Sequence, residues 1–154
     1  LLSVFVVCLT PENIEELLSL HNRYRKAISS EQQAYNVSNM NSLEWSDRLS
    51  VQAAETATCR SARPRQLELV RNTFGHVNVG RRRHGNGNLS QIVDMWFAER
   101  SRYLPEEGEC FPWDGCTSYK NMINAKHRKM GCATAEGCGR GLSYVVLMCL
   151  YEGG

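Results

Sequence analysis

Histidine is scarce in this chain of 154 residues, which holds only four, and their placing removes several chemistries at once. No His-x-x-x-His pair is present for a zinc hydrolase, no Gly-x-Ser-x-Gly turn for a serine hydrolase and no Gly-x-x-x-x-Gly-Lys loop for a nucleotide phosphate. No two cysteines stand in Cys-x2-Cys spacing, so a zinc knuckle is excluded. The apolar run Leu1–Thr10 is too short to cross a bilayer, which argues against a transmembrane protein. A formal net charge of +2 is too small to imply nucleic acid as a partner.

What is present describes a folded domain. A chain of about 150 residues buries roughly 70% of its unfolded surface in one core. Hydrophobic residues at 42% and charged residues at 22% match globular usage and not that of a disordered chain. Seven cysteines without metal spacing indicate disulfides, and therefore a secreted, extracellular protein. Cys8 lies within residues 1–10, which read as the remnant of a signal peptide, with a buried β-strand as the alternative. Removing that segment leaves six cysteines, an even number, and a domain over 11–154. Asn36-Val-Ser38 and Asn88-Leu-Ser90 permit N-glycosylation at Asn36 and Asn88.

Thr10-Pro11-Glu12 opens a helix, and Ile14, Leu17, Leu18, His21, Tyr24, Arg25 and Ile28 recur along it at helical spacing. Ser46 can cap a second helix through Leu49, Ala53 and Ala57 to Cys59. From Arg60 to Asn88 no period is sustained, which predicts loop. Leu89, Ile92, Val93, Trp96 and Phe97 define a third helix ending before Pro105. Met122–Ala125, Lys129–Ala133 and Leu142–Leu150 read as strands, the last two forming an antiparallel hairpin around Gly137–Gly141. Helices first and strands last predict an α+β layered fold.

His21 falls on the apolar stripe and reads as a hydrogen-bonded core residue, whereas His84 and His127 sit in basic surroundings that predict a solvated surface. Glu99, Glu106, Glu107 and Glu109 are the carboxylates a glycosidase would need, but the run near Pro105 reads as a solvated acidic loop. From Arg60 to Arg83 seven arginines (60, 63, 65, 71, 81, 82, 83) face one acid, Glu68, a local excess of 7 − 1 = +6. Arg81, Arg82 and Arg83 are candidates for anion binding, to a heparin-like glycan or an acidic membrane surface.

The ordered series His21-Asn22-Arg23-Tyr24-Arg25, Leu43-Glu-Trp-Ser-Asp-Arg-Leu49, Cys59, Trp96-Phe-Ala-Glu99, Tyr103, Cys116-Thr-Ser-Tyr119, Met130-Gly-Cys-Ala133 and Cys149-Leu-Tyr151 resembles a CAP (SCP) domain. This is the family of cysteine-rich secretory, antigen 5 and pathogenesis-related proteins. Trp96–Tyr103 and Gly108-Glu-Cys110 resemble in particular the CAP domain of C-type lectin proteins that also carry EGF-like modules. The resemblance implies a three-layer α-β-α sandwich with a central antiparallel sheet. It also implies disulfides Cys59–Cys138, Cys110–Cys116 and Cys132–Cys149, and a groove where two histidines and two glutamates hold a metal in many members. Here Arg63, Val77 and Ser118 stand at three of those four positions and only Glu99 remains, too few ligands for zinc. Arg63 is expected to pair with Glu99 instead. The resulting expectation is a secreted, non-catalytic binding module without metal or cofactor, recognising an extracellular lipid or sterol, glycan or protein. The alternatives are an extracellular protease-like hydrolase and a structural spacer for a downstream lectin domain.

Overall fold

The computed structural model describes residues 5–7, 9–30, 40–83, 88–112 and 115–153. The first helix, α1 (Pro11–Ser30), starts where Thr10 accepts the Asn13 N–H on its hydroxyl at 3.2 Å, and it buries Leu17, Leu20, His21, Arg25 and Ile28 along one stripe. In α2 (Asp47–Thr56) the Ser46 hydroxyl accepts the Leu49 N–H at 3.2 Å, and Leu49 and Ala53 face inward. Helix α4 (Ser90–Ala98) buries Ile92, Val93, Trp96 and Phe97 and runs into a 3-10 turn over Glu99–Arg102, before Pro105.

Two expectations fail. The stretch read as loop contains a helix, α3 (Pro64–Phe74), and a strand, β3 (Val77–Arg83). Its apolar positions Leu67, Val70 and Phe74 are only half-buried, so the helical stripe is weak, and β3 owes its form to pairing with a distant strand. Met122–Ala125 is not a strand, because Met122 and Ile123 close the short helix α5 (Thr117–Ile123). Its buried Tyr119, Met122 and Ile123 follow helical spacing, and a brief apolar run cannot separate the two periods.

The strands are β1 (Phe5–Val7), β2 (Glu44–Trp45), β3, β4 (Tyr103–Leu104), β5 (Glu109–Cys110), β6 (His127–Cys138) and β7 (Tyr144–Gly153). The main sheet runs β1-β6-β7-β3, while β4 and β5 form a separate hairpin. Its pairings are antiparallel except for β2, which joins β6 in parallel at Lys129 and Met130. Phe5–Val7, within the segment read as a leader, pair with Thr134–Glu136 of β6.

Strand β7 is buried on both faces and accordingly reads as one apolar run from Val145 to Tyr151. Val145, Leu147, Cys149 and Tyr151 pack with α1, α4 and α5, whereas Val146, Met148 and Leu150 pack with α2 and α3. The result is an α-β-α sandwich. Gly131 permits the second layer to sit down on β6, since a Cβ there would lie 2.3 Å from the backbone nitrogen of Ser50. Three disulfides tie these layers: Cys132–Cys149 directly across β6 and β7, Cys59–Cys138 across 79 residues of chain, and Cys110–Cys116 between β5 and α5. Cys8 lies outside the described residues.

Candidate functional site

Helix α4 delivers Glu99 to the start of α5. The carboxylate accepts the Tyr119 N–H at 3.1 Å and also the Ser118 N–H, so it satisfies amides that a helix start leaves without partners. Burial raises its pKa most strongly, against the lowering effect of these amides and of Arg102 and Arg71.

Arg71 is the group that the sequence reading missed. It lies on the inward stripe of α3 with Leu67, Val70 and Phe74, at spacing i, i+3, i+4, i+7, and that amphipathic pattern is the signal that could have located it. Its Nε–H donates to the Val77 carbonyl at 3.3 Å, and its charge acts on Glu99. Burial lowers the guanidinium pKa while Glu99 opposes that shift. The same Val77 carbonyl accepts the Asn121 amide at 3.3 Å, and the Ser118 carbonyl accepts the Asn78 amide at 2.9 Å.

Val77, Glu99 and Ser118 thus converge, whereas Arg63 sits exposed immediately before α3 and the cations acting on Glu99 are Arg102 and Arg71. This donor set does not suit a divalent metal. Its carboxylate already accepts two amides and faces two guanidinium groups. Among the described residues no group of three or more His, Cys, Asp or Glu side chains is placed to hold a metal ion.

A buried polar chain continues from this corner. Nδ1–H of His21 donates to the Leu17 carbonyl at 2.7 Å, which leaves Nε2 to accept the Tyr151 hydroxyl at 2.7 Å. That hydroxyl accepts from Asn78 at 3.2 Å, and Asn78 in turn accepts from Asn121 at 2.9 Å. His127, expected at the surface, is buried: its Nδ1–H donates to the Asn121 carbonyl at 2.9 Å and its ring packs against Tyr151 and His76. The neighbours Lys126, Arg128 and Lys129 are exposed, so local charge misled the reading while the ring itself turns inward. Burial holds both His21 and His127 down to about 4.

Arg25 lies beneath the same region. It donates to the carbonyls of Asn41, Met122, Asn124 and His127 at 2.7 to 3.2 Å, a structural peg from α1 into the end of α5. Beside this chain a cleft of about 480 Å³ opens between His76, Tyr103, Thr117, Lys120, Asn121 and Ile123. That size and mixed lining suit a small organic ligand. A larger hollow of about 720 Å³ follows α1 and Met40–Ser42.

The other candidates lie elsewhere. Arg81, Arg82 and Arg83 are on β3 and not in a loop. Asn88 is exposed just before α4, and its side chain accepts the Ser90 hydroxyl. Asn36 and His84 fall outside the described residues.

Known proteins resemble this chain in sequence and in fold. A pathogenesis-related protein of PR-1 type from Sambucus nigra is 24% identical over 94% of this chain and 86% of its own length. A cysteine-rich venom protein of Varanus varius is 25% identical over 80% of this chain, which spans half the length of that relative. The solved structure of Schistosoma mansoni venom allergen-like protein 4 superposes with a TM-score of 0.64 at 18% identity, covering 95% of this chain and 91% of the other, and so shares the fold. The sequence profile of the cysteine-rich secretory protein family, CAP, matches residues 18–151, the whole span from the stripe of α1 through Glu99 to Tyr151, and the chain belongs to that family.

Proposed function

We propose that this chain is an extracellular, non-catalytic CAP binding module that takes a small organic ligand, a lipid, sterol or glycan fragment, in the cleft beside α5 without a metal ion. The observation that carries this reading is the engagement of Glu99. Its carboxylate caps α5 and faces Arg71 and Arg102, so it is neither a general base nor a metal ligand in waiting. The three disulfides favour an oxidising, extracellular setting. No helix among the described residues is long and apolar enough to cross a membrane. The likeness of Trp96–Tyr103 and Gly108–Cys110 to lectin-linked CAP domains favours a place beside EGF-like and lectin modules.

The test is a screen of sterols, lipids and glycans against oxidised, folded protein, with calorimetric zinc titration alongside. A ligand whose binding is lost in Tyr103→Ala and retained in chelator supports the reading. Zinc binding in the micromolar range, about −8 kcal/mol, that disappears in Glu99→Gln would overturn it. Reproducible peptide cleavage abolished by the same substitution would establish a hydrolase instead.

A further inference from the structure

Strand alternation divides the three consecutive arginines of β3. Arg81 and Arg83 continue the face of Val77 and Val79, toward α2 and α3, and both are exposed. Arg82 falls on the opposite face with Asn78 and Gly80 and is half-buried. Because β3 ends the sheet order, its outer edge carries no partner strand among the described residues.

The topology then adds distant charges to the Arg81 and Arg83 face. Arg83 lies opposite Tyr144 on β7, and Tyr144 lies opposite Cys138 on β6. Cys138 is bonded to Cys59, whose neighbour is Arg60, and Arg140 follows Cys138 in the turn. The chain positions of Arg60, Arg81, Arg83 and Arg140, all exposed, therefore lie at one end of the sheet, the end that carries Tyr144.

This end is also held in place. The Arg81 guanidinium sits 5.3 Å from the centre of the Tyr144 ring, within the range of a cation–π contact. Gly139, at φ +79°, packs so close to that ring that a Cβ would lie 2.3 Å from its Cε1. None of the four arginines is ion-paired with a described acid.

We propose that this end of the sheet is a docking face for a sulfated glycan, separate from the cleft beside α5. Guanidinium groups bind sulfate in bidentate fashion, and Arg81 and Arg83 repeat on one face of the edge strand, their backbones about 6.6 Å apart by the rise of two strand residues, which offers more than one anion site to a polyanionic chain. A membrane surface fits less well. The exposed large apolar side chains Val51, Leu69, Met95, Leu104 and Phe111 lie on other segments, and charge without apolar insertion anchors weakly.

The test measures binding of a sulfated heparin octasaccharide, its desulfated counterpart and phosphatidylserine vesicles to the oxidised protein at two salt concentrations. The sulfated octasaccharide binds, more weakly at higher salt, and the desulfated form does not. Arg81→Gln with Arg83→Gln weakens binding by about tenfold or more, the loss expected for two charge-assisted contacts. Arg82→Gln removes one of the same charges from the same strand on the other face and changes binding by less than about twofold. Arg23→Gln with Lys129→Gln, exposed positions on α1 and β6, provides the charge-matched control should Arg82→Gln fail to fold. Equal losses in the Arg82 or control variants and in the Arg81/Arg83 variant would overturn the proposal, as would equal binding of desulfated glycan. Vesicle binding that depends on Arg81 and Arg83 in the absence of octasaccharide binding would overturn it in favour of a membrane.

Discussion

The charge coupling between Arg71 and Glu99 is best tested by a double-mutant cycle using Arg71→Met, Glu99→Gln and the two combined. Breaking a fully buried ion pair on one side costs about 3–5 kcal/mol, and an exposed pair contributes about 0–1 kcal/mol. Both side chains here are half-buried, no direct ion pair joins them and Arg102 acts on Glu99 more strongly than Arg71 does, so a coupling of about 0.5–1 kcal/mol is expected. Arg71→Met also deletes the hydrogen bond to the Val77 carbonyl, but Asn121 still donates to that oxygen, which limits the additional loss to about 1 kcal/mol. Glu99→Gln retains an acceptor for the Tyr119 amide and changes mainly the charge.

The sign of the pH dependence follows from the raised pKa of Glu99. Removing Arg71 raises it further, so the carboxylate is penalised most where it is ionised. The destabilisation by Arg71→Met is therefore larger at about pH 7 than at about pH 3.5, where the carboxyl is protonated in both folded and unfolded chains. Urea unfolding of the four proteins, with disulfides intact, supplies the values. Strict additivity, or an Arg71→Met effect that does not change with pH, would show that Arg71 is not coupled to Glu99.

Two further outcomes follow from the buried polar groups. Arg25→Met removes the guanidinium donor from the carbonyls of Asn41, Met122, Asn124 and His127, of which Asn124 keeps the His127 N–H, and should cost about 3–5 kcal/mol in chemical denaturation, with Arg25→Lys recovering only part because an ammonium lacks the guanidinium fork. His21 and His127 are held near 4 by burial, against 6.5 when free, so the unfolded chain binds more protons between those values. Stability is then full above pH 6.5 and falls as pH drops toward 4, by at most about 1.4 kcal/mol per pH unit for each histidine. A denaturation midpoint that does not move between about pH 7 and pH 5 would contradict the buried, neutral state of both rings.

The sequence by itself determined the parts of this protein that rest on short-range signals. The caps Thr10 and Ser46 and the apolar stripes of α1 and α4 located three helices, and the apolar run of β7 located a central strand. The ordered motifs also pointed to the CAP family. Tertiary structure decided what depends on partners far away in the chain. Strand β3 forms because β7 lies beside it, and His127 is buried because Tyr151 and His76 close over a segment whose neighbours are all charged. It also decided that Arg102 and Arg71, not Arg63, are the cations that act on Glu99, because α3 turns Arg71 inward while Arg63 precedes the helix in solvent. The three arginines of β3 are one cluster in sequence and two faces in space. A strand's period of two separates adjacent side chains, and only the pairing of β3 with β7 imposes that period.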